Sequence, residues 1–274
     1  MRRLAIHNPF AAPVYHEETV SSTMDVSRML AGNGPPSLDG APHGTVITAD
    51  FQDAGRGRIK GRLWEMEKGS NLSFTILLRF CVAEQIPPAI TLRTGLALAL
   101  AIEDFIPSLA GTVMIKWPND IVIINAQAAF KAQAALKAQA ALKAAGILAE
   151  AEGGNVHIGI GVNVAQNHFP QHLRDKATSI SLAANREIAN EERFVLLEKI
   201  LARLHDELGR SDWRNRIEER LYQKGEQVHF AQGAAGSKQI VSGTLTGIGP
   251  SGELLITVNG ETHPFIAGEL TTNY

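Results

Sequence analysis

Residues 113–124 read VMIKWPNDIVII: two apolar strands, Val113 to Trp117 and Ile121 to Ile124, on either side of Pro118-Asn119-Asp120. Pro, Asn and Asp in succession are a turn signal, so one strand follows the other with no helix between them. Upstream, Asn71 to Phe80 alternates Leu72, Phe74, Ile76, Leu78 and Phe80 with Ser73, Thr75 and Arg79. Alternation at period two predicts a half-buried strand. Residues 87–106, rich in Leu and Ala, predict a buried helix between the two regions. Downstream, Gly146 to Ala151 and Val156 to Val164 read as a strand pair joined through Gly153-Gly154. From Glu191 to Leu208, Phe194, Leu197, Leu201, Leu204 and Leu208 recur at three and four, the stripe of a core-facing helix. Near the start, a strand at Val14 to Glu17 leads through Ser21, Ser22 and Thr23 into a short helix ending at Met29, and Thr45 to Phe51 is a further strand. Past Tyr222 come only short strands, at Val228 to Phe230, Ile240 to Thr246, Leu254 to Val258 and Thr262 to Ile266, separated by Gly-Pro-Ser-Gly and Asn-Gly turns. Strands mixed with a few helices, without regular alternation, argue for an α+β fold. The expected division is a main domain over 1–222 and a small β-barrel over 223–274.

The chain has 274 residues, 45% hydrophobic, with a net charge of -2. It is long enough for a sizeable core, and no global positive field draws it to nucleic acid or an anionic membrane. Its single cysteine, Cys81, rules out an internal disulfide framework and fits a reducing compartment. The longest wholly apolar stretch, Leu96 to Ile102, is far short of the roughly 20 residues of a membrane span. The N-terminus carries two arginines but no apolar signal core, so the expected location is cytoplasmic. His7, His16 and His43 are scattered, without the spacing of metal ligands, and no protein metal site is expected.

Residues 126–143 are a repeat, AQAAFK, AQAALK, AQAALK. Ala, Gln, Lys and Leu favour helix, but six residues advance about 240° around one, so Phe130, Leu136 and Leu142 share no face. The repeat reads as an expansion inserted between two strands, in a loop that is of hairpin length without two of its copies.

Phe51 to Trp64 reads FQDAGRGRIKGRLW, with Arg56, Arg58, Lys60 and Arg62 at alternate positions among Gly55, Gly57 and Gly61. Glycine lets backbone N–H groups approach an anion, and guanidinium groups offer paired donors to phosphate oxygens. In an extended segment these cations face one side. The glycine spacing matches neither a Walker loop nor a dinucleotide fingerprint. For this loop alone, RGG-type contact with nucleic acid stays open.

SSTMD at 21–25, FQDAGRGRIKGRLW, IKWPNDIVI, KAAGILAE at 143–150, IGIGVNV at 158–164 and PFIAGEL near the end resemble, in order and rough spacing, the biotin protein ligases. The resemblance runs from about Val14 onward. It implies a mixed-sheet catalytic domain of the biotin/lipoate ligase type followed by an SH3-like domain, and a reaction in two steps. Biotin is first activated by ATP, with Mg2+, as biotinyl-5′-AMP; the acyl group then passes to a lysine of a biotin carboxyl carrier domain. It further implies that Arg56, Gly57 and Arg58 contact biotin and its adenylate, that Ser22 and Thr23 offer hydroxyls to the ureido ring, and that Gln52 makes a polar contact near it. Trp117, Asn119 and Asp120 would help build the floor, and Asn163 would meet the nucleotide; a core role for Trp117 and Trp64 stands open beside this. The family's lysine three residues before the Gly of Gly146-Ile147-Leu148 selects Lys143 as the catalytic lysine, although Lys131 and Lys137 hold equivalent repeat positions. Family members occur as monomers and dimers.

The chain departs from the family's pattern at three places. Met24 stands where an amide commonly follows Ser-Thr, so it would meet the ligand by apolar contact. Ile59-Lys60 adds one residue before Gly61, which leaves the roles of Lys60 and Arg62 open, and the repeat lengthens the approach to Lys143. The alternatives are a ligase for a related acid such as lipoate, and a module that binds biotin without turnover. A biotin-responsive DNA-binding repressor is a further one, but only about 20 residues precede SSTMD, too few for a helix-turn-helix module.

Overall fold

The computed structural model describes residues 1–32, 40–58, 61, 63–124, 141–233 and 239–271. An eight-stranded sheet runs in the order β1-β2-β3-β4-β8-β7-β6-β5. Its strands are β1 (Arg2–Leu4), β2 (Val14–Val20), β3 (Thr45–Gln52), β4 (Leu72–Arg79), β5 (Val113–Lys116), β6 (Asp120–Ile124), β7 (Ala141–Glu152) and β8 (Asn155–Val162). Neighbours are antiparallel except β2 and β3, which pair in parallel. Helix α1 (Thr23–Ala31) lies between those two in sequence and supplies the crossover that a parallel pair requires. Helices α2 (Ile90–Phe105), α3 (Ile180–Ala184), α4 (Glu192–Leu208) and α5 (Trp213–Glu219) follow. By length and composition Ala83–Phe105 is apolar enough to cross a membrane; in the fold, Leu92, Leu96, Leu98 and Ile102 of this stretch belong to the buried core.

The two faces of the sheet differ chemically. On β8, Val156, Ile158, Ile160 and Val162 join the core that α2 and α4 cover, while His157, Gly159 and Gly161 alternate with them and face the other way. On β4, Leu72, Phe74, Ile76 and Leu78 join the same core. The alternation on β4 predicts a strand with one solvated face; instead all residues from Leu72 to Leu78 are buried. The reason is α1, which lies over the polar face, where Thr23 Oγ1 meets Thr75 Oγ1 at 2.8 Å. Strand β7 begins at Ala141, five residues earlier than its pattern suggests, and so takes in Lys143. The rest of the repeat, residues 126–140, lies outside the described residues.

Five antiparallel strands form a second sheet in the order β12-β11-β10-β9-β13, from β9 (Gln227–Gln232), β10 (Ile240–Ile248), β11 (Leu254–Val258), β12 (Glu261–Phe265) and β13 (Gly268–Thr271). Consecutive strands β12 and β13 occupy opposite edges, although Phe265 and Gly268 are separated by only three Cα–Cα steps, about 11 Å at most. The sheet is therefore strongly curled around Phe230, Leu245, Ile256, Phe265 and Leu270. It is an SH3-like arrangement whose two edges approach without pairing, so the expected barrel is not closed. Trp117 links the two sheets: its Nε1 donates to the Gly252 carbonyl at 3.0 Å, and its ring packs 5.8 Å from Phe230.

Candidate functional site

On the α1 side of the large sheet, a cavity is floored by strands β7 and β8 and walled by α1, the end of β3 and the basic loop. At its inner end are Ser22, Thr23, Met24 and Gln52. Ser22 is the N-cap of α1 and accepts from Met24 N–H at 3.3 Å. Gln52 Oε1 accepts from Thr23 N–H at 2.8 Å, and the Thr23 hydroxyl lies 3.1 Å from the same oxygen. These contacts fix a hydroxyl and an amide at the end of the cavity. Met24, 4% exposed, adds an apolar surface.

The floor is made of glycine. A Cβ on Gly161 would stand 2.4 Å from Trp64 Cε2, and one on Gly159 would stand 2.9 Å from Met24 Sδ. Glycine within a strand marks a close approach by another group, and here the approaching groups are two side chains that can move. With Trp64 and Met24 in these positions the cavity holds about 70 Å³, small beside the roughly 300–1,000 Å³ of ligand pockets. A ligand laid on the glycine floor requires the Trp64 ring to swing aside. Trp64 Nε1 is buried with no acceptor among the described residues, a donor whose desolvation costs about 1–3 kcal/mol until something accepts from it. Gly159 and Gly161 were open to reading from sequence, because glycines at period two in an apolar strand have few other uses.

At the outer end three cations each meet a carboxylate. Arg56 reaches Asp25, with Nη2 2.5 Å from Oδ1, and this contact, first among several, holds the Asp25 carboxyl below its ordinary pKa. Arg58 Nη2 donates to the Gly268 carbonyl at 3.2 Å and lies 3.4 Å from Glu269 Oε1, both on β13 of the second sheet. Lys143 Nζ stands 2.7 Å from Asp120 Oδ1 and 5.9 Å from the centre of the Trp64 ring. Gly57 and Gly146 line the cavity beside them.

Lys143 reaches this position through a bulge. Val122 pairs with Lys143 and Ile121 with Ala145, which leaves Ala144 as an extra residue. In a regular strand Lys143 and Gly146 would face opposite sides; one extra residue resets the alternation and turns Lys143 to the glycine face. An ideal Cβ on Gly146 would lie 3.2 Å from Lys143 Nζ. Asn119, also on the wall, is fixed by donating Nδ2–H to the Ile147 carbonyl at 2.9 Å. Lys116, opposite Asp120 in the β5–β6 hairpin, is held below its ordinary pKa chiefly by burial.

Of the residues singled out from sequence, Ser22, Thr23, Met24, Gln52, Arg56, Gly57, Arg58, Asn119, Lys143 and Gly146 line this one cavity. Asp120 touches it through Lys143. Trp117 does not line it and is taken up by the contact between the two sheets. Asn163 is buried behind it, donating Nδ2–H to the Thr178 carbonyl at 3.1 Å. Lys60 and Arg62 lie outside the described residues. Among the described residues no group of three or more His, Cys, Asp or Glu side chains could hold a metal ion.

A family model, the biotin/lipoate A/B protein ligase family, matches residues 19–167, more than half of the chain and every residue that lines the cavity. The chain belongs to that family. The bifunctional ligase/repressor BirA of Bacillus subtilis is 37% identical over 196 residues, which are 69% of this chain and 51% of that protein. The chain thus spans about half the length of this relative. The biotin protein ligase of Aquifex aeolicus, solved in complex with biotin and ATP, aligns with a TM-score of 0.72 at 24% identity, covering 94% of this chain and 97% of that one. The ligase of Leishmania major, solved with biotinyl-5-AMP, aligns with a TM-score of 0.59 at 25% identity, covering 93% and 98%. In this ligase-family fold the second, five-stranded sheet brings Gly268 and Glu269 to Arg58, beyond the reach of the family model.

Proposed function

We propose that the chain activates biotin with ATP as biotinyl-5′-AMP and transfers the acyl group to a lysine of a biotin carboxyl carrier domain. The observation that carries this reading is the polarity of the cavity. Hydroxyl and amide groups at one end suit a small uncharged polar ring, a glycine floor suits a flat or extended chain, and three cations at the other end suit a carboxylate and phosphates. Trp64 Nε1–H, without an acceptor among the described residues, supports it as a donor that a ligand can meet once the ring has swung aside.

In the first step an oxygen of the biotin carboxylate forms a bond to the α-phosphorus of ATP, and pyrophosphate leaves with the electrons of the broken P–O bond. Two anions must meet for this, and Lys143 Nζ is placed to lie between them by leaving Asp120. Arg56 and Arg58 exchange Asp25 and Glu269 for phosphate oxygens, so charge that builds up is met by donors already oriented. Mg2+ enters with ATP, held largely by phosphates and water. In the second step the carrier ε-amine, neutral when it reacts, attacks the acyl carbon; AMP leaves with the acyl–phosphate bonding pair and the amine proton passes to solvent. The loop over the acyl-adenylate keeps water from taking the amine's place.

Exchange of labelled pyrophosphate into ATP, with biotin or lipoate as the added acid, tests the first step. Exchange that depends on biotin is expected. Exchange with lipoate alone would replace biotin by lipoate in this reading, and exchange with neither would end it.

A further inference from the structure

The return limb of the basic loop, residues 64–70, is tied down at its far end by a charge from a distant part of the chain. Gly69, at φ 78°, donates its N–H to the Asp50 carbonyl at 3.1 Å, and its own carbonyl accepts from Arg193 Nη1. Arg193 Nη2 donates to the Asp50 carboxylate on β3. Arg193 stands in the first turn of α4, is 8% exposed, and lies 4.7 Å over the Phe194 ring. The second Asp50 oxygen faces His16 Nε2 at 3.4 Å. Burial first, and then the charges of Arg193 and Arg2, hold His16 below its ordinary pKa against the pull of Asp50.

A buried ion pair is a poor way to hold a helix on a sheet, since apolar side chains of similar volume do so at least as well. What the guanidinium adds is a planar fork with donors to two different elements. One prong grips β3, two residues before Gln52; the other grips the loop, five residues after Trp64. We propose that Arg193 is a positioning residue, the clamp that fixes the exit of the basic loop and thereby holds the backbone that carries Trp64, Arg56 and Arg58 beside the glycine floor, where Trp64 N–H already bonds the Gly55 carbonyl at 3.0 Å. Its role in catalysis rests on the ligase reading above; the clamp itself does not. Loss of the clamp lowers the fraction of molecules with the loop in place. Apparent affinity falls by that fraction, while turnover of the closed complex is unchanged.

The test uses the full chain with Arg193→Lys, which keeps a cation beside Asp50 and loses the fork. Trypsin cutting after Arg56, Arg58, Lys60 and Arg62 is followed by fragment mass without substrates, and pyrophosphate exchange gives kcat and KM. We expect nicking in the loop to rise about tenfold, the effect of losing one charge-assisted hydrogen bond. KM for biotin and ATP should rise by a similar factor, with kcat within about twofold. Wild-type nicking and wild-type KM would overturn the clamp. If R193K also lowers Tm, the double variant Arg193→Met with Asp50→Leu strands no buried charge. Fast nicking at a restored Tm then supports the clamp, and wild-type nicking at a restored Tm overturns it. Faster nicking in R193K, with no exchange even in the parent chain, would keep the clamp and refute the ligase reading.

Discussion

Replacing Lys143 by Met removes one cation from the outer end of the cavity while keeping the length and most of the apolar bulk of the side chain. The effects on stability and on catalysis should differ widely. The Lys143–Asp120 pair is 2.7 Å long with its two side chains 37% and 26% exposed, so its net contribution to folding is below about 1 kcal/mol. For a chain of this size that is a Tm shift of under about 4 °C. In the adenylation step the ammonium faces charge gathering between carboxylate and α-phosphate, where loss of one oriented group costs about 10²–10³ in kcat. Biotin-dependent pyrophosphate exchange and a thermal melt on the same preparation give both numbers. Lys137→Ala, an equivalent repeat position, is the control and should exchange as the parent does. K143M retaining more than about a tenth of the exchange rate, or equal losses in both variants, would refute the reasoning that the Ala144 bulge delivers Lys143 to the site.

Three further outcomes follow from single contacts. His157, 3% exposed and 2.7 Å from Ser27 Oγ, is lowered by burial to a pKa of about 4 from its ordinary value of 6.5; between these pH values the unfolded chain binds the extra proton, so stability falls by about 3 kcal/mol as pH drops from 6.5 to 4. His157→Gln should flatten that segment of a urea-unfolding series, and an unchanged slope would exclude His157 as its source. Gly161→Ala puts a Cβ at 2.4 Å from the Trp64 ring and should raise the biotin KM at least about tenfold with a stability loss of about 1–3 kcal/mol, read by exchange kinetics and melting. Trp117→Phe loses the bond to Gly252 and should lower stability by about 1 kcal/mol with the biotin KM unmoved; a raised KM at unchanged Tm would return Trp117 to the cavity.

What could be read from sequence follows from how local each feature is. Strand β4 and helix α4 show as periodicity, because each carries an apolar row against the core, and helix α2 shows as a Leu- and Ala-rich stretch. The five-residue helix α3, the seven-residue helix α5 and the edge strands β1 and β13 are too short to show a period. Of the motif residues that line the cavity, the alternating glycines and arginines of the basic loop read as a phosphate cradle by themselves, whereas the hydroxyls are equally helix caps, as Ser22 is, and only the family resemblance joins them to the site. Trp117 and Asn163 belong to the same motifs and turn away, since the direction of a side chain depends on what packs behind it. The position of Lys143, three residues before Gly146, is what the family resemblance implies. Its physical cause, a bulge at Ala144, exists only in the register between β6 and β7. Nor do the carboxylates that hold the cations show in the sequence: Glu269 is 211 residues from Arg58, and Asp25 is 31 from Arg56. The buried faces of β4 mislead in the same way, because Ser73 and Thr75 look solvated until Met66 covers the first and Thr23 of α1 the second.

The intact mass of an acceptor reads adenylation and acyl transfer together. A biotin carboxyl carrier domain is incubated with the full chain, ATP, Mg2+ and biotin, beside the same mixture containing K143M. A gain of one biotinyl group on a single lysine is expected with the parent chain, and none in the same time with K143M. No gain with the parent chain, while a known biotin ligase modifies the same carrier, would contradict it.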